Sequence, residues 1–581
     1  MRIGGDEAVK SSYVASRGFK GIGQPAEKGG LSVCHGLTSF AGGFLRARGR
    51  RRRIRGFTDA QGILADGTLG YVDNGRLYYG GNEINGVYLT PGEKNIVRVG
   101  RFLTVFPDEA YVDLENTDVC GYMSTSVTLG DESLVTLTDE NRTVIETFSL
   151  STALPDEGEN GQVCVIRKSS GEYEAYRCLD GKWGIIRSYV KISAPGVGLG
   201  FAVGDTVNCV GMPDFVGDHF RIAYGVSDAI YYEGVIPSEF IPRGVTLKRT
   251  VPAFDYCTAS GGRLYGVRRG FDKDGALVCK VYASAENDPF NFSLYGGGSE
   301  CSLDACGEIT GICAYEGNLA VFTESEIFET RIKGGALIAT VTKGYGLEKG
   351  AEKSAVSFGG AIYYKSPVGI CKYDGSYPER ISGVLDRRLY CDGSGSPAYV
   401  VNGEYCINIA LSETKKAIYV YDIEREEWRT QEGSGAFAYA KLNELVYAMC
   451  RDKLILMNGE DAEAAEKELF SDGSAEDTAV SPWRLESARI SDPALKSMAP
   501  VKLKVDVGLA SESEMTVGVI TGNGNEPSSA VRIPKGTDGV YAVALTPKRT
   551  DAVRAVIYGK GDAVIRGYRL EYRGGGEVSL W

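Results

Sequence analysis

The stretch Gly317-Asn318-Leu319-Ala320-Val321-Phe322 joins a glycine turn to a short apolar strand, and its repetition decides the fold. Related phrases recur along the chain: Asn74-Gly75-Arg76-Leu77-Tyr78-Tyr79, Gly262-Arg263-Leu264-Tyr265, Gly359-Gly360-Ala361-Ile362-Tyr363-Tyr364, Asn402-Gly403-Glu404-Tyr405-Cys406-Ile407 and Leu442-Asn443-Glu444-Leu445-Val446-Tyr447. Gly317, Gly359 and Gly403 are 42 and 44 residues apart. A period of roughly 40 to 50 residues, made of strands and turns, is typical of stacked four-stranded blades. The pattern therefore predicts a β-propeller.

The composition favours an all-β protein with several domains. A chain of 581 residues is too long for a single core. It has 77 glycines, which suit tight turns, and 34 tyrosines, which suit half-exposed strands. Hydrophobic residues at 43% and charged residues at 24% are typical of ordinary globular protein, so disorder is not indicated.

The predicted organisation is a discontinuous propeller with an insertion and a C-terminal domain. Residues 1–60 read as an arm, and residues 61–114 and 250–460 carry the blade period. Residues 115–249 lose that period and read as an inserted, small β-barrel-like module. Residues 461–482 are interpreted as a linker with a short helix. In residues 483–581, apolar and polar residues alternate, which is typical of the strands of a β-sandwich. Two stretches look helical, Ile381–Tyr390 and Asp461–Phe470.

Seven arginines lie within ten positions at the end of the predicted arm: Arg46, Arg48, Arg50, Arg51, Arg52, Arg53 and Arg55. Arginine makes forked contacts to carboxylate and phosphate. This arginine strip is therefore a candidate docking site for another protein. Contact with DNA and a solvated arm without a partner are the alternatives.

Charge and cysteine usage limit the classes of function. The net charge of −12 disfavours a protein that grips nucleic acid over its whole surface, because such binding neutralises phosphates with lysine and arginine. The 14 cysteines form no Cys-x-x-Cys pair and only two histidines are present, so we expect no metal site. We expect the cysteines to be reduced and buried in the core of a protein that folds in the cytoplasm. Neither a secretory signal nor a membrane span is predicted.

No catalytic or cofactor-binding residues stand out. A Ser-His-Asp or Cys-His site needs a histidine beside the nucleophile, and neither His35 nor His219 has such a setting in the sequence. The stretch Asp180-Gly181-Lys182-Trp183 lacks the preceding glycine and the following hydroxyl of a Walker loop. A pair of carboxylates of the kind that propeller glycosidases use cannot be recognised among 76 acidic residues.

The order of several phrases resembles a group of phage structural proteins, the tail nozzle or stabilisation proteins of short-tailed phages. The phrases follow the arginine strip and are Leu77–Gly86, Arg101–Asp108, Thr250–Tyr256, Arg263–Gly266, Tyr282–Phe292 and Leu319–Phe328. Together they span roughly residues 45 to 430. No catalytic residues belong to that family, so the resemblance carries none over.

The resemblance implies a non-enzymatic virion subunit, assembled in the host cytoplasm. Such subunits form a ring, commonly sixfold, below the portal and adaptor, and DNA passes through the ring without specific binding. The expected function is therefore a tail nozzle, with the arginine strip holding a neighbouring subunit or the adaptor. The alternative is a receptor-binding or glycan-binding tip protein, since tyrosine-rich edges suit sugar stacking. A propeller glycosidase is the third reading.

Overall fold

The N-terminal segment supplies strands to sheets formed much later in the chain. The computed structural model describes residues 11–23, 30–271, 277–304, 307–385, 395–412, 415–457, 476–477, 480–491 and 496–577. Its first five strands are β1 (Ser11–Arg17), β2 (Leu31–His35), β3 (Leu37–Phe40), β4 (Phe44–Ala47) and β5 (Arg52–Gly56), with a 3-10 turn at Ala41–Gly43. Four of them, β1, β2, β4 and β5, pair with strands from the last third of the sequence, and β3 pairs with β4 at the edge of the same sheet. The expected arm is therefore built into the fold, because its strands satisfy backbone hydrogen bonds at open sheet edges.

Two four-stranded antiparallel sheets follow. Blade 1 contains β6 (Ala60–Asp66), β7 (Thr68–Asp73), β8 (Arg76–Tyr79) and β9 (Asn82–Ile84). Blade 2 contains β10 (Asn95–Val99), β11 (Phe102–Phe106), β12 (Ala110–Asp113) and β13 (Cys120–Tyr122). Each is a meander in which neighbours in sequence are neighbours in the sheet.

The insertion between blades 2 and 3 has two sheets around one core. Its first seven strands are β14 (Thr125–Thr128), β15 (Leu134–Thr138), β16 (Ser149–Ser151), β17 (Val163–Arg167), β18 (Tyr173–Leu179), β19 (Lys182–Ile185) and β20 (Tyr189–Ser193). After a 3-10 turn at Val197–Leu199 come β21 (Thr206–Val210), β22 (His219–Val226), β23 (Ala229–Glu233) and β24 (Thr246–Arg249). The sheet orders are β14-β24-β21-β22-β23-β20-β15 and β16-β17-β18-β19. Val165, Val190 and Leu247 are fully buried in the shared core.

Five further blades complete the propeller. Blade 3 contains β25 (Tyr256–Ser260), β26 (Arg263–Phe271), β27 (Leu277–Ala283) and β28 (Ser299–Leu303), with a 3-10 turn at Leu294–Gly296. Blade 4 contains β29 (Gly311–Tyr315), β30 (Asn318–Phe322), β31 (Glu326–Lys333) and β32 (Ala336–Lys343). Blade 5 follows a 3-10 turn at Glu352–Ser354 and contains β33 (Val356–Phe358), β34 (Ala361–Ser366), β35 (Gly369–Tyr373) and β36 (Glu379–Arg380).

Blades 6 and 7 are joined to other parts of the molecule. Blade 6 contains β37 (Ala398–Val401), β38 (Glu404–Ala410), β39 (Lys416–Asp422) and β40 (Glu427–Glu432). Blade 7 contains β41 (Ala438–Leu442), β42 (Leu445–Met449) and β43 (Lys453–Leu456), and its next strand is β5 from the N-terminal segment. The short strand β44 (Glu476–Asp477) pairs with β5 from the other side.

The innermost strands close a ring, which makes the architecture a propeller. Within the described residues, β6, β10, β25, β29, β33, β37 and β41 each contact the next, and β41 contacts β6. The repeated glycine phrase forms the turn between the first two strands of blades 3 to 6, and Asn443-Glu444 forms the same turn in blade 7. Asn402 and Gly403, for example, have φ angles of 50° and 73°, a left-handed conformation that suits asparagine and glycine. The predicted β-propeller is thus confirmed as the fold.

The C-terminal unit consists of two sheets that share a large apolar core. Its strands are β45 (Pro482–Ser487), β46 (Ile490–Ser491), β47 (Lys496–Leu509), β48 (Glu514–Thr521), β49 (Ser529–Ile533), β50 (Asp538–Ala544), β51 (Ala552–Lys560) and β52 (Ala563–Glu577). One sheet has the order β3-β4-β52-β47-β50, with β1 also on β52. The other continues blade 6 through β40-β2-β45-β51-β48-β49, with β46 on β51. Blade 6 and one of the two sheets of the C-terminal unit are therefore one continuous sheet.

A buried arginine holds this connection together. Arg429 on β40 is 1% exposed and donates to Glu404 at 3.0 Å and to Asp422 at 3.1 Å. It also hydrogen-bonds the Ser39 hydroxyl of the N-terminal segment. Arg48 donates to the second oxygen of Glu404 at 2.6 Å. Charged groups at this depth require such pairing, so the network fixes the N-terminal segment against blade 6.

The helical expectations fall mainly outside the described residues. Asp461–Phe470 lies wholly outside, as does much of the predicted linker. Of Ile381–Tyr390, the described part is 381–385, and it carries no helix. No helix in the described part of the chain is long and apolar enough to cross a membrane.

Candidate ligand site on the propeller axis

A cavity of about 830 Å³ lies on the propeller axis, lined by residues of all seven blades. The innermost strands contribute Ile63, Asn95, Cys257, Ile312, Ser357, Val400 and Tyr439. Every blade begins with its innermost strand, so the residues just before these strands lie at the same end of the axis. Glu93, Asp255, Lys353 and Phe437 hold such positions and line the cavity. This end is the charged mouth of the cavity.

Glu93 connects three blades across the mouth. It lies just before β10 of blade 2, and its Oε1 accepts a hydrogen bond from Arg451 of blade 7 at 2.5 Å. Its Oε2 accepts from Lys353 of blade 5, which lies on the opposite side of the ring. Arg451 also donates to the Ala60 carbonyl of blade 1 at 3.1 Å. The Glu93 carboxylate is therefore held in place by two cations.

The same two cations face one aromatic ring. The guanidinium carbon of Arg451 lies 4.2 Å from the centroid of the Phe437 ring, and Lys353 Nζ lies 5.0 Å from it. Such distances are those of cation–π contacts. Phe437 is half-buried and lines the cavity. The mouth therefore combines a fixed carboxylate, two cations and an apolar ring within one small cluster.

Two further carboxylates surround Tyr256 at the start of β25. Burial raises the pKa of the Tyr256 hydroxyl, and the negative charges of Glu352 and Asp255 add to the effect. Glu352 lies in the 3-10 turn before β33, next to Lys353. Asp255 Oδ2 accepts a hydrogen bond from the Arg269 backbone nitrogen at 2.8 Å. Three carboxyl groups thus line one cavity, together with aromatic rings.

The loop that carries Glu93 is anchored from below. The adjacent Lys94 side chain is fully buried and pairs with Asp108 at 2.6 Å. Burial alone would raise the pKa of Asp108, but hydrogen bonds from Lys94 and Thr90 lower it overall. A Cβ added at Gly62 would lie 2.5 Å from the Lys94 carbonyl oxygen, so glycine permits β6 to approach this loop.

The arginine strip lies away from this cavity and runs from β4 in the C-terminal unit, past blade 6, to β5 of blade 7. Arg48 pairs with Glu404, and Arg51 donates to the carbonyls of Glu432 at 2.5 Å and of Gly433 at 3.2 Å. The guanidinium of Arg55 lies 5.5 Å from the Tyr71 ring. Arg46 lies on β4, and Arg52, Arg53 and Arg55 lie on β5; the exposed members are Arg46, Arg50 and Arg53. The strip is therefore integrated into the fold, and docking of a partner there stays a prediction.

Comparisons with known proteins yield solved structures only. No family model matches the chain, and no curated protein matches it. An exo-β-1,3-galactanase from Phanerochaete chrysosporium, solved with β-1,3-galactotriose, matches at 8% identity and a TM-score of 0.18. That match covers 77% of this chain and 100% of the galactanase. The Trypanosoma rangeli sialidase in complex with sialic acid matches at 10% identity and a TM-score of 0.21, covering 97% and 96% of the two chains.

These matches correct two expectations drawn from the resemblance. The expected function, a tail nozzle subunit that conducts DNA, is contradicted, because the matched structures are a galactanase and a sialidase. The expectation that the chain is not an enzyme is contradicted by the same structures. Short strand phrases in a given order reflect blade construction, which proteins of different function share. They therefore gave a sound indication of fold and a wrong one of function.

Sequence reasoning missed the residues at the mouth. These residues lie in loops or in a 3-10 turn, and their local sequence carries no recognisable motif: Glu93, Glu352, Lys353 and Arg451. One signal was available: charged residues occur just before the innermost strands of blades 2, 3 and 5. In a propeller this position places side chains around the axis. Among the described residues, no cluster of three or more histidine, cysteine, aspartate or glutamate side chains could hold a metal ion.

Proposed function

We propose that the axial cavity of the propeller binds a glycan. The observation that supports this most directly is the cluster at the mouth, where Lys353 and Arg451 contact both the Phe437 ring and the Glu93 carboxylate. A sugar ring has an apolar face, which can pack on an aromatic side chain, and hydroxyl groups at its rim, which hydrogen-bond to charged groups. The cavity presents both kinds of contact, and its volume lies within the range of small-molecule binding sites.

The charge balance of the cavity favours a neutral glycan. Its lining contains three acidic residues, Glu93, Asp255 and Glu352, and three lysines, Lys94, Lys353 and Lys441. Lys94 is neutralised by Asp108 and Glu93 by its two cations. A polyanion such as DNA would meet no surplus of positive charge here, whereas a neutral sugar needs hydrogen-bonding groups of both kinds.

The test is glycan binding by the full chain and by a matched pair of aromatic variants. A panel of neutral oligosaccharides identifies a ligand, whose affinity is then measured by isothermal titration calorimetry. Phe437→Leu should weaken binding by about tenfold, since it removes the aromatic face and its cation contacts. Tyr377→Leu changes an aromatic residue that is 60% exposed and lies outside the cavity, and it should have no effect. Equal affinities for both variants, or a panel without any ligand, would contradict the proposal.

Hydrolysis of a glycosidic bond is the second candidate function. The observation in its favour is that Asp255 and Glu352 both neighbour Tyr256 in a cavity of suitable size. Glycosidases act with two carboxyl groups on either side of the scissile bond. The test is the release of reducing ends from the bound oligosaccharide. Asp255→Asn and Glu352→Gln should each abolish release while binding persists, and binding without any release leaves glycan capture as the function.

We further propose the finer architecture that the alternating patterns predict. The insertion is a small barrel-like module, because its seven-stranded sheet surrounds a common apolar core. The C-terminal unit is a β-sandwich, because its two sheets enclose Trp483, Val517 and Leu503 between them. An experimentally determined structure at side-chain resolution tests both assignments.

A further inference from the structure

A groove of about 480 Å³ crosses the outer face of the C-terminal sheet, far in sequence from the axial cavity. Cross-strand pairing places one row of residues along it. His35 pairs with Arg484, Arg484 with Tyr558, and Tyr558 with Thr516, and Thr516 then pairs with Arg532. Because side chains alternate along a strand, this row points away from the core that Trp483, Met515 and Ile557 form on the other face.

An aromatic ring and a fixed cation form the middle of the groove. The Arg484 guanidinium carbon lies 5.6 Å from the centroid of the Tyr558 ring. Arg484 also donates to the buried Glu486 carboxylate, from Nε at 2.8 Å and from Nη2 at 2.7 Å. Glu486 takes a further hydrogen bond from Arg554 at 2.7 Å. The position of Arg484 is therefore set before any ligand arrives.

His35 offers a hydrogen-bond acceptor at one end of the groove. The Thr430 hydroxyl donates to the Cys34 carbonyl at 3.2 Å, so it accepts from His35 Nδ1 at 3.1 Å. This assigns the proton to Nδ1 and leaves Nε2 of the neutral ring as an acceptor. Burial lowers the pKa of His35, which favours that neutral form. A ligand hydroxyl group is a suitable donor to Nε2.

The other end of the groove is positively charged. Arg532 pairs with Glu514. Lys560 is exposed and forms no ion pair within the described part of the chain, because its cross-strand neighbour Glu514 pairs with Arg532 instead. Arg484 is paired with Glu486 and Arg532 with Glu514, so Lys560 supplies the positive charge that the lining leaves uncompensated. In a protein with a net charge of −12, this is a local excess of positive charge.

We propose that this groove is a second ligand site, which binds a sugar carrying a carboxylate. Tyr558 supplies an apolar face for the ring, Thr516 and His35 bind hydroxyl groups, and Lys560 binds the carboxylate. The site is independent of the axial cavity, which has no comparable excess of cations. Charge complementarity is what selects an acidic sugar over a neutral one.

The experiment compares D-glucuronate with D-glucose, which differ at one carbon, on the full chain by saturation-transfer NMR and calorimetry. Glucuronate should bind at least about tenfold more tightly than glucose, because only its carboxylate can form a charge-assisted hydrogen bond with Lys560. Lys560→Met should remove that preference, and Tyr558→Leu should weaken both sugars. Lys535→Met, at an exposed lysine of the same unit outside the groove, should change nothing.

Four results would overturn this assignment. Equal affinity for the two sugars, or no detectable binding of glucuronate, would show that the groove does not select an acidic sugar. Loss of glucuronate binding in Phe437→Leu would place the bound sugar in the axial cavity instead. Displacement of glucuronate by inorganic sulfate at similar concentration would reveal a general anion site. This test does not depend on the axial proposal, because the variants in the groove and the variants in the axial cavity lie on different structural elements.

Discussion

Glu93 and Lys353 form an ion pair across the propeller axis, although 260 positions separate them in the chain. Glu93 precedes the innermost strand of blade 2, and Lys353 precedes that of blade 5. The closed ring brings these positions face to face. Arg451 then adds a second cation on the remaining oxygen of Glu93. The ion pair thus bridges the mouth of the cavity that we propose as the glycan site.

The first prediction separates ligand binding from stability at this ion pair. Glu93→Gln should weaken the affinity for the cavity ligand by about tenfold, because Lys353 and Arg451 lose the carboxylate that positions them. The free energy of unfolding should change by no more than about 1 kcal/mol, since all three side chains are partly exposed. Calorimetry and urea denaturation measure the two effects. Glu512→Gln, at an exposed position on the C-terminal unit, is the control, and a stability loss of several kcal/mol would contradict the prediction.

The second prediction concerns the connection between blade 6 and the C-terminal unit. Arg429→Met should reduce the free energy of unfolding by about 3–5 kcal/mol, because it leaves Glu404, Asp422 and Glu427 buried without their common partner. Arg425→Met removes an arginine that is 37% exposed and 3.9 Å from Asp422, so it should cost less than about 1 kcal/mol. Denaturant unfolding measures both variants. Similar losses for both would show that burial of Arg429 is not what matters.

The third prediction is a loss of stability at mildly acidic pH due to His35. Burial lowers its pKa in the folded state, and the nearby charges of Glu432, Lys415 and Arg51 modify that effect. Below the unfolded-state pKa of about 6.5, the unfolded chain therefore binds a proton that the folded chain resists. The free energy of unfolding should fall as the pH drops from about 6.5 to the folded-state pKa of His35. Below that pKa, the contribution of His35 should no longer change with pH. His35→Gln, which keeps a side chain able to donate to Thr430, should lack this component of the pH dependence.

The fourth prediction concerns cysteine reactivity. Burial raises the pKa of Cys34, Cys209, Cys257, Cys313, Cys371 and Cys406 to about 12. At pH 8 these thiols should resist iodoacetamide in the folded protein, because the thiolate is the reactive form. Cys120 is only half-buried and should be labelled faster. Peptide mass spectrometry before and after denaturation checks the order, and rapid labelling of Cys406, which is fully buried, would show that the propeller core is open to solvent.

The sequence predicted the blades well because their signals are local. A left-handed turn at Asn402 and Gly403 requires particular residues, and the strand after it must be apolar where neighbouring blades cover it. The arginine strip shows the opposite case. Its charge pattern suggested a docking strip on an arm outside the fold, yet Ile54 is buried and β5 completes blade 7. Pairing with a strand 400 residues away leaves no trace in the pattern of the strip itself.

By itself, the sequence determined the all-β class, the propeller repeat and the interruption of its period, because turn chemistry and strand alternation act over a few residues. Only the tertiary structure decided that Glu93, Lys353 and Arg451 meet around Phe437, and that His35, Arg484 and Tyr558 share one row. These positions are set by ring closure and by strand register. Both depend on contacts between distant segments, whose energies are not encoded in any single stretch of the chain.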